Sequence, residues 1–313
     1  FGSSFPSSQS ALGGGSGNIP VADMASSPTC TASQPCAPAA GSWKLFENDD
    51  ACGDWVLPLG SSGLELQVIN AASAMCFVAA GAPLVWKADT AIARAYGLMM
   101  CGVGFGSFSY HATTSLSGFL IDIVPMAVTA ALMLFKATHA LQVDAGFVGP
   151  AAETIRFVVS MGCAYVAVYT PWAMMMAGMS HYAAWGVWAL LFGSMGAAFG
   201  VVSLIMFFNE GLLSQRPGID LFTAIGCVLL GLAFSVHSFV PGLCQGWRTV
   251  LPFHALWHLF SSITANRCGR TLDNLTKLVT AMEGSAVPLK KDKVRSLLVR
   301  LIKRDFLPSQ FSM

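Results

Sequence analysis

Charge is what this sequence has least of. Only 11% of its 313 residues are Asp, Glu, Lys or Arg, against about 25% in an ordinary soluble domain. A disordered chain, a coiled coil and most soluble enzymes all need more charge than this, so those classes drop out. The charges also nearly cancel, at +1 for the whole chain, which leaves no electrostatic footprint for a nucleic-acid partner. No internal repeat is visible. No cleavable signal or transit peptide can be recognised, and the chain opens on Phe1 rather than Met, as a mature or trimmed product would.

What is there instead is apolar. Hydrophobic residues make up 54% and mean hydropathy is +0.61. Seven apolar runs lie near residues 66–86, 92–115, 119–140, 155–177, 183–208, 219–240 and 248–265. Each is close to the roughly 17–25 residues a spanning helix needs. The fold expected is an all-α integral membrane bundle of seven transmembrane helices. Pro83, Pro150, Pro217, Pro241 and Pro252 mark edges of runs, while Pro125 and Pro171 fall inside the third and fourth.

Orientation follows from counting cations. With seven spans, Lys44 and Arg248 share the side of the N-terminus. The other 15 Lys and Arg residues face the opposite side. The positive-inside rule therefore puts the N-terminus outside and the C-terminus inside. An even number of spans would destroy that separation.

Two segments flank the seven-helix domain, taken as residues 64–268. Residues 1–63 begin as a low-complexity Ser-, Gly-, Ala- and Pro-rich stretch without apolar period, which other subunits of a membrane complex could hold in place. Residues 269–313 form a basic tail. Within it Val294, Leu297, Leu298, Leu301 and Ile302 repeat at helical spacing among Lys291, Lys293, Arg295, Arg300, Lys303 and Arg304. This reads as a basic amphipathic helix on an anionic lipid surface, with a docked helix or partner contact as the bland alternative.

Ionisable groups inside a bilayer are expensive, so each asks for a role. Away from the cytoplasmic ends of the runs there are five: His111, Asp122, His237, His254 and His258. Late in an outward helix and early in an inward helix are the same depth, so all five fall in one layer near the outer leaflet. His254 and His258 stand four apart and project from one helix face, as do Ser107 and His111. Three imidazoles would leave a fourth tetrahedral position for water, the ligand count of a catalytic zinc site. Asp122 would then serve as general base and Ser107 would donate to the developing oxyanion. The bland readings stand beside this one. A lone membrane histidine is more often a helix–helix hydrogen bond, Asp122 could be a structural acid, and His237, His139 and His181 read as structural or interface residues. Convergence at one depth favours the metal.

These residues have a recognisable shape. Gly104-Phe105-Gly106-Ser107-Phe108-Ser109-Tyr110-His111-Ala112-Thr113 resembles the Gly-x-Gly-Ser-x-x-Phe-His-Ala-Thr segment of alkaline ceramidases. Asp122 follows His111 by eleven residues and precedes Pro125-Met126, similar to that family's Asp-Glu-x-Pro-Met run. Phe253-His254-Ala255-Leu256-Trp257-His258-Leu259-Phe260 is similar to its seventh-helix signature. The superfamily also holds progestin/adipoQ receptors and Per1-like proteins. The resemblance implies a zinc-dependent amidase that cleaves ceramide-like membrane lipids in the endoplasmic reticulum or Golgi. It implies His111, His254 and His258 as zinc ligands, Asp122 on the zinc water and Ser107 at the oxyanion. Ile123 replaces the usual Glu and Tyr110 the usual Phe. The acidic segment linked to calcium has only a poor counterpart around Asp49-Asp50 and Asp54-Trp55, so calcium regulation and the exact substrate do not carry over.

Four of the nine cysteines, Cys30, Cys36, Cys52 and Cys244, fall on the outer side and permit two disulfides, Cys52 with Cys244 being one arrangement. The other five read as small packing residues. Two functions from other classes compete with the amidase. One is a non-catalytic structural subunit of a larger, organelle-membrane complex that retains the ceramidase fold, and the other is a heptahelical receptor. Run 7 holds no Lys for a Schiff base, which speaks against a retinal protein.

Overall fold

The computed structural model describes residues 56–58, 65–113, 116–177, 179, 181–235 and 252–284. The low-complexity start of the chain, the basic amphipathic tail segment, His237, and Cys30, Cys36, Cys52 and Cys244 lie outside the described residues.

Seven α-helices follow one another in the order of the seven apolar runs. They are α1 (Val68–Lys87), α2 (Ala91–Thr113), α3 (Leu116–Asp144), α4 (Pro150–Met176), α5 (His181–Asn209), α6 (Arg216–Ser235) and α7 (Phe253–Glu283). The first six are long and apolar enough to cross a membrane. Helix α7 has the length, at 31 residues or about 46 Å. From Arg267 onward it carries Arg267, Arg270, Asp273 and Lys277, so only its first part reads as an apolar run. It runs to Glu283, past residue 268, where the pattern of apolar residues ends the bundle. Pro83, Pro125 and Pro171 lie inside α1, α3 and α4.

A feature outside the seven-helix pattern precedes α1. Strands β1 (Val56–Pro58) and β2 (Glu65–Gln67) pair antiparallel, with Val56 opposite Gln67 and Pro58 opposite Glu65. At three residues each, neither strand is long enough to show the period of two that betrays a strand in sequence. Helix α1 starts directly after Gln67, so the hairpin delivers that side chain to the end of the bundle where α1 begins.

Glycine lets the first three helices touch backbone to backbone, as close membrane packing requires. A Cβ on Gly97 would stand 2.7 Å from Leu84 Cβ and 2.9 Å from the carbonyl oxygen of Gly81. A Cβ on Gly106 would stand 2.4 Å from the carbonyl oxygen of Ile121 and 2.7 Å from Asp122 Cα. Helix α2 is thereby pressed against both α1 and α3 near the residues expected to do chemistry.

Helix α7 closes the bundle against α1, α2, α3 and α6. Leu272, Leu275 and Leu278 are fully buried along it, within the same core as Phe199 and Phe207 of α5. Polar contacts fix it further. Asn266 Nδ2 donates to the carbonyl of Ala80 at 2.7 Å, and Arg267 pairs with Asp220 of α6 at 2.5 Å. Asp273 accepts from the Thr90 backbone N–H at 2.9 Å and from its hydroxyl at 2.7 Å, capping the start of α2 from a different helix. Lys277 bonds Asp273 at 2.9 Å and also pairs with Asp89.

Candidate metal centre

The crossing of α2, α3 and α7 sets the site. Gly106 admits α3 so closely that Asp122 Cα lies against the residue just before Ser107. Four residues on along α2 comes His111, and α7 brings His254 and His258 on one face. One ligand nitrogen from each of the three histidines lies within 4.8 Å of the others. The rings meet edge to face, with centroids 4.5–5.1 Å apart. His111 and His258 are buried at 1% and 3% exposure, and Ser107 and Asp122 at 1% and 4%. His254 is partly buried. Tyr110, Phe119 and Ile123 form a small apolar cluster beside the site, with the Tyr110 ring tilted against His111.

Hydrogen-bond chemistry decides which nitrogen of each ring is available. His111 Nδ1 lies 2.6 Å from Gln67 Oε1, an amide oxygen that only accepts, so Nδ1 carries the hydrogen and Nε2 the lone pair. Gln67 is itself held by Asn70 Nδ2, which donates to the same oxygen at 3.1 Å. His258 Nδ1 lies 2.8 Å from Ser73 Oγ. The Ser73 hydroxyl spends its one hydrogen on the carbonyl of Asn70 at 2.9 Å, so it accepts from His258. His258 therefore also presents Nε2 as a lone pair, 3.3 Å from Ser107 Oγ. This is the arrangement in which a second polar group orients a metal-binding imidazole.

The donor set fits a divalent ion. His254 Nε2 and His111 Nε2 stand 3.1 Å apart. Two nitrogens sharing one tetrahedral zinc stand about 3.3–3.4 Å apart, from bond lengths of about 2.0–2.1 Å. Three neutral imidazoles, two of them with Nδ1 already committed, are what such an ion binds.

The structure thus brings Ser107, His111, His254 and His258 into one cluster and places Asp122 beside it through the α2–α3 contact. His139 and His181 belong elsewhere on the chain, His139 at the far end of α3 and His181 at the start of α5. The orienting residues Gln67, Asn70 and Ser73 are absent from the sequence-based site. Their signal was present as polar residues three apart at the start of an apolar helix, which share one face. The five described cysteines, Cys76, Cys101, Cys163, Cys227 and Cys268, are free thiols among packed helices.

The family model described as ceramidase matches residues 66–285. That span contains all five candidate site residues and the whole of α1 to α7. No individual curated protein matches the sequence at a significant level.

Proposed function

The chain belongs to the ceramidase family, and from that premise we propose that it is a zinc-dependent amidase acting on ceramide-like membrane lipids. The observation that carries the reading is the convergence of His111, His254 and His258 beside Ser107, with Nδ1 of His111 and His258 already engaged by Gln67 and Ser73. Zinc bound there supplies a Lewis acid that brings the pKa of water to about 7.

The protein's own groups do the rest. His111, His254 and His258 hold the ion, and Gln67 and Ser73 stop two of the rings from turning. Asp122 takes the proton from the attacking water and returns it to the departing amine, the general base and then general acid role. Ser107 Oγ–H donates to the amide oxygen as it becomes negative. Burial of these groups excludes bulk water and strengthens each of those interactions.

The test joins metal content to turnover. Purified protein is expected to hold about one zinc per chain and to release fatty acid from ceramide in detergent micelles. A His258→Ala variant is expected to lose both. A zinc-free wild type that turns over no ceramide would overturn the reading. Zinc with no turnover of ceramide would retain the centre and refute the substrate.

A further inference from the structure

We propose a second site at the opposite end of the bundle, where α3 and α4 hold the phosphate of an anionic phospholipid between Lys136 and Arg156. His139 lies seventeen residues after Asp122 on α3, or about 25 Å along the helix. The site is therefore remote from the histidine cluster and does not depend on the reading of it.

The case starts from charge balance. Lys136 is a buried cation at 8% exposure, and its ammonium has only donors to offer. It lies 3.1 Å from His139 Nδ1, which must therefore accept. The other nitrogen, Nε2, then carries the hydrogen and donates to Glu283 Oε1 at 2.7 Å. His139 is a neutral link between a lysine and the end of α7. Arg156 enters the same group from α4. Its Nη1 donates to Gln142 Oε1 at 3.2 Å, its guanidinium lies 5.3 Å from the Phe135 ring centroid, and its Nε is buried without a hydrogen-bond partner among the described residues. Two cations thus face one carboxylate, that of Glu283, whose side chain is 38% exposed. Asp144 and Glu153, the nearest acids in sequence, are exposed and form no ion pair with either cation among the described residues. Uncompensated positive charge beside a partly exposed guanidinium calls for an anion, which the outer guanidinium nitrogens rather than the buried Nε would meet.

The surroundings say which anion. Arg156 sits in sequence between Ile155 and Phe157 of α4, which are 48% and 58% exposed. The link from α3 to α4 carries Phe147 and Val148, 46% and 59% exposed, and Leu141 just before it is 48% exposed. Apolar residues exposed at the end of two apolar helices mark a membrane interface. Arg156 lies six residues into α4 and Lys136 eight before the end of α3, about 9–12 Å from the helix ends and within reach of the headgroup layer. Basic pockets between helices at that depth suit lipid headgroups, and a guanidinium fork suits a phosphate. The acyl chains would lie along Phe157 and its exposed neighbours.

Native mass spectrometry of the full chain in detergent tests this, with dioleoyl phosphatidic acid, dioleoyl phosphatidylcholine and inorganic phosphate as probes. Wild type is expected to retain phosphatidic acid over phosphatidylcholine. Arg156→Gln and Lys136→Met are each expected to weaken that retention roughly tenfold, while Arg156→Lys keeps most of it. Both variants leave every charge of the C-terminal tail in place, so equal retention in wild type and variants would overturn the site. No preference for phosphatidic acid in wild type would overturn it as well. Displacement by millimolar inorganic phosphate would overturn the lipid in favour of the free anion. Arg156 is only partly buried, so Arg156→Gln gives a folded reference if Lys136→Met does not fold.

Discussion

Gln67→Met replaces the carboxamide beside the proposed metal centre with a thioether of similar length. Methionine has the length of glutamine but no acceptor where Oε1 now takes the His111 hydrogen at 2.6 Å. His111 is 1% exposed, so little water can replace that acceptor. A buried N–H left unpaired costs about 1–3 kcal/mol. The ring also loses what fixes its Nε2 lone pair toward His254. The cost of the unpaired N–H falls on stability with or without the ion, while losing the group that orients an imidazole reduces metal affinity about 10–100-fold, or about 1.4–2.7 kcal/mol. The assay is zinc competition against a chelator of known affinity on purified full chain. His254→Ala serves as the variant that loses a ligand outright, and Gln67→Glu as one whose carboxylate accepts the same hydrogen. The expected order is wild type and Gln67→Glu tightest, Gln67→Met 10–100-fold weaker, and His254→Ala weakest. Zinc bound equally well by wild type and Gln67→Met would refute the claim that Gln67 orients His111.

Three further outcomes are expected. Asp122→Asn keeps the ligands but removes the base, so zinc content stays near wild type while ceramide turnover falls about 10²–10⁴-fold; loss of zinc with turnover would recast Asp122 as a structural residue. Gly106→Ala puts a methyl group 2.4 Å from the Ile121 carbonyl oxygen, and the forced separation of α2 and α3 should cost about 1–3 kcal/mol, read as a lower Tm and lost activity, whereas Gly196→Ala, in open space on α5, should change neither. Lys277 lies beyond the first twenty residues of α7, and although burial pushes its ammonium down, Asp89 and Asp273 outweigh that and hold its pKa above the ordinary value. Its raised folded pKa means that its stabilisation is fully present below about pH 10.4 and is lost as pH rises through the folded value; Tm measured from pH 8 upward should fall more steeply for wild type than for Lys277→Gln above pH 10.4.

The parts of this molecule that sequence reveals are those with a period or a local spacing. Seven helices announce themselves because a lipid-facing helix needs nearly continuous apolar sequence, the seventh through the apolar run that ends near residue 265. His254 and His258 announce themselves because four residues bring two side chains onto one face. The partners of those histidines are harder to read. Gln67 reaches His111 from 44 positions away, and Ser73 reaches His258 from 185. Nothing in the local pattern around either histidine names its partner. The polar spacing of Gln67, Asn70 and Ser73 shows that one face of α1 is polar, but only the packing of α1 on α2 and α7 says what that face is for. The hairpin is invisible for a different reason, since three-residue strands are too short to alternate. His139 illustrates the limit from the other side. Its interface position is legible from the helix end, while its bond to Glu283 joins residues 144 positions apart.

Helix α7 explains why the least apolar helix is also the most informative. Its first turns contribute two of the three clustered histidines, and from Asn266 onward it spends Asn266, Arg267, Asp273 and Lys277 on bonds to α1, α6 and the α1–α2 link. Each of those polar groups lowers its hydropathy, so only its first part, up to about residue 265, reads as an apolar run. The same groups make its position stiff. A buried ion pair with one partner removed is strongly destabilising, and Asp220 is 2% exposed, so Arg267→Ala would strand a carboxylate within the bundle. Such stiffness matters at the other end of the helix, because for the proposed ion to bind, His254 and His258 on α7 must meet His111 on α2 to within a few tenths of an ångström. Arg267 lies nine residues from His258, about 13 Å along α7. Arg267→Ala should therefore weaken zinc binding without touching the site, while Arg267→Lys, which keeps the pair to Asp220, should retain it. Unchanged zinc affinity in Arg267→Ala, alongside a lowered Tm, would show that the two halves of α7 act independently.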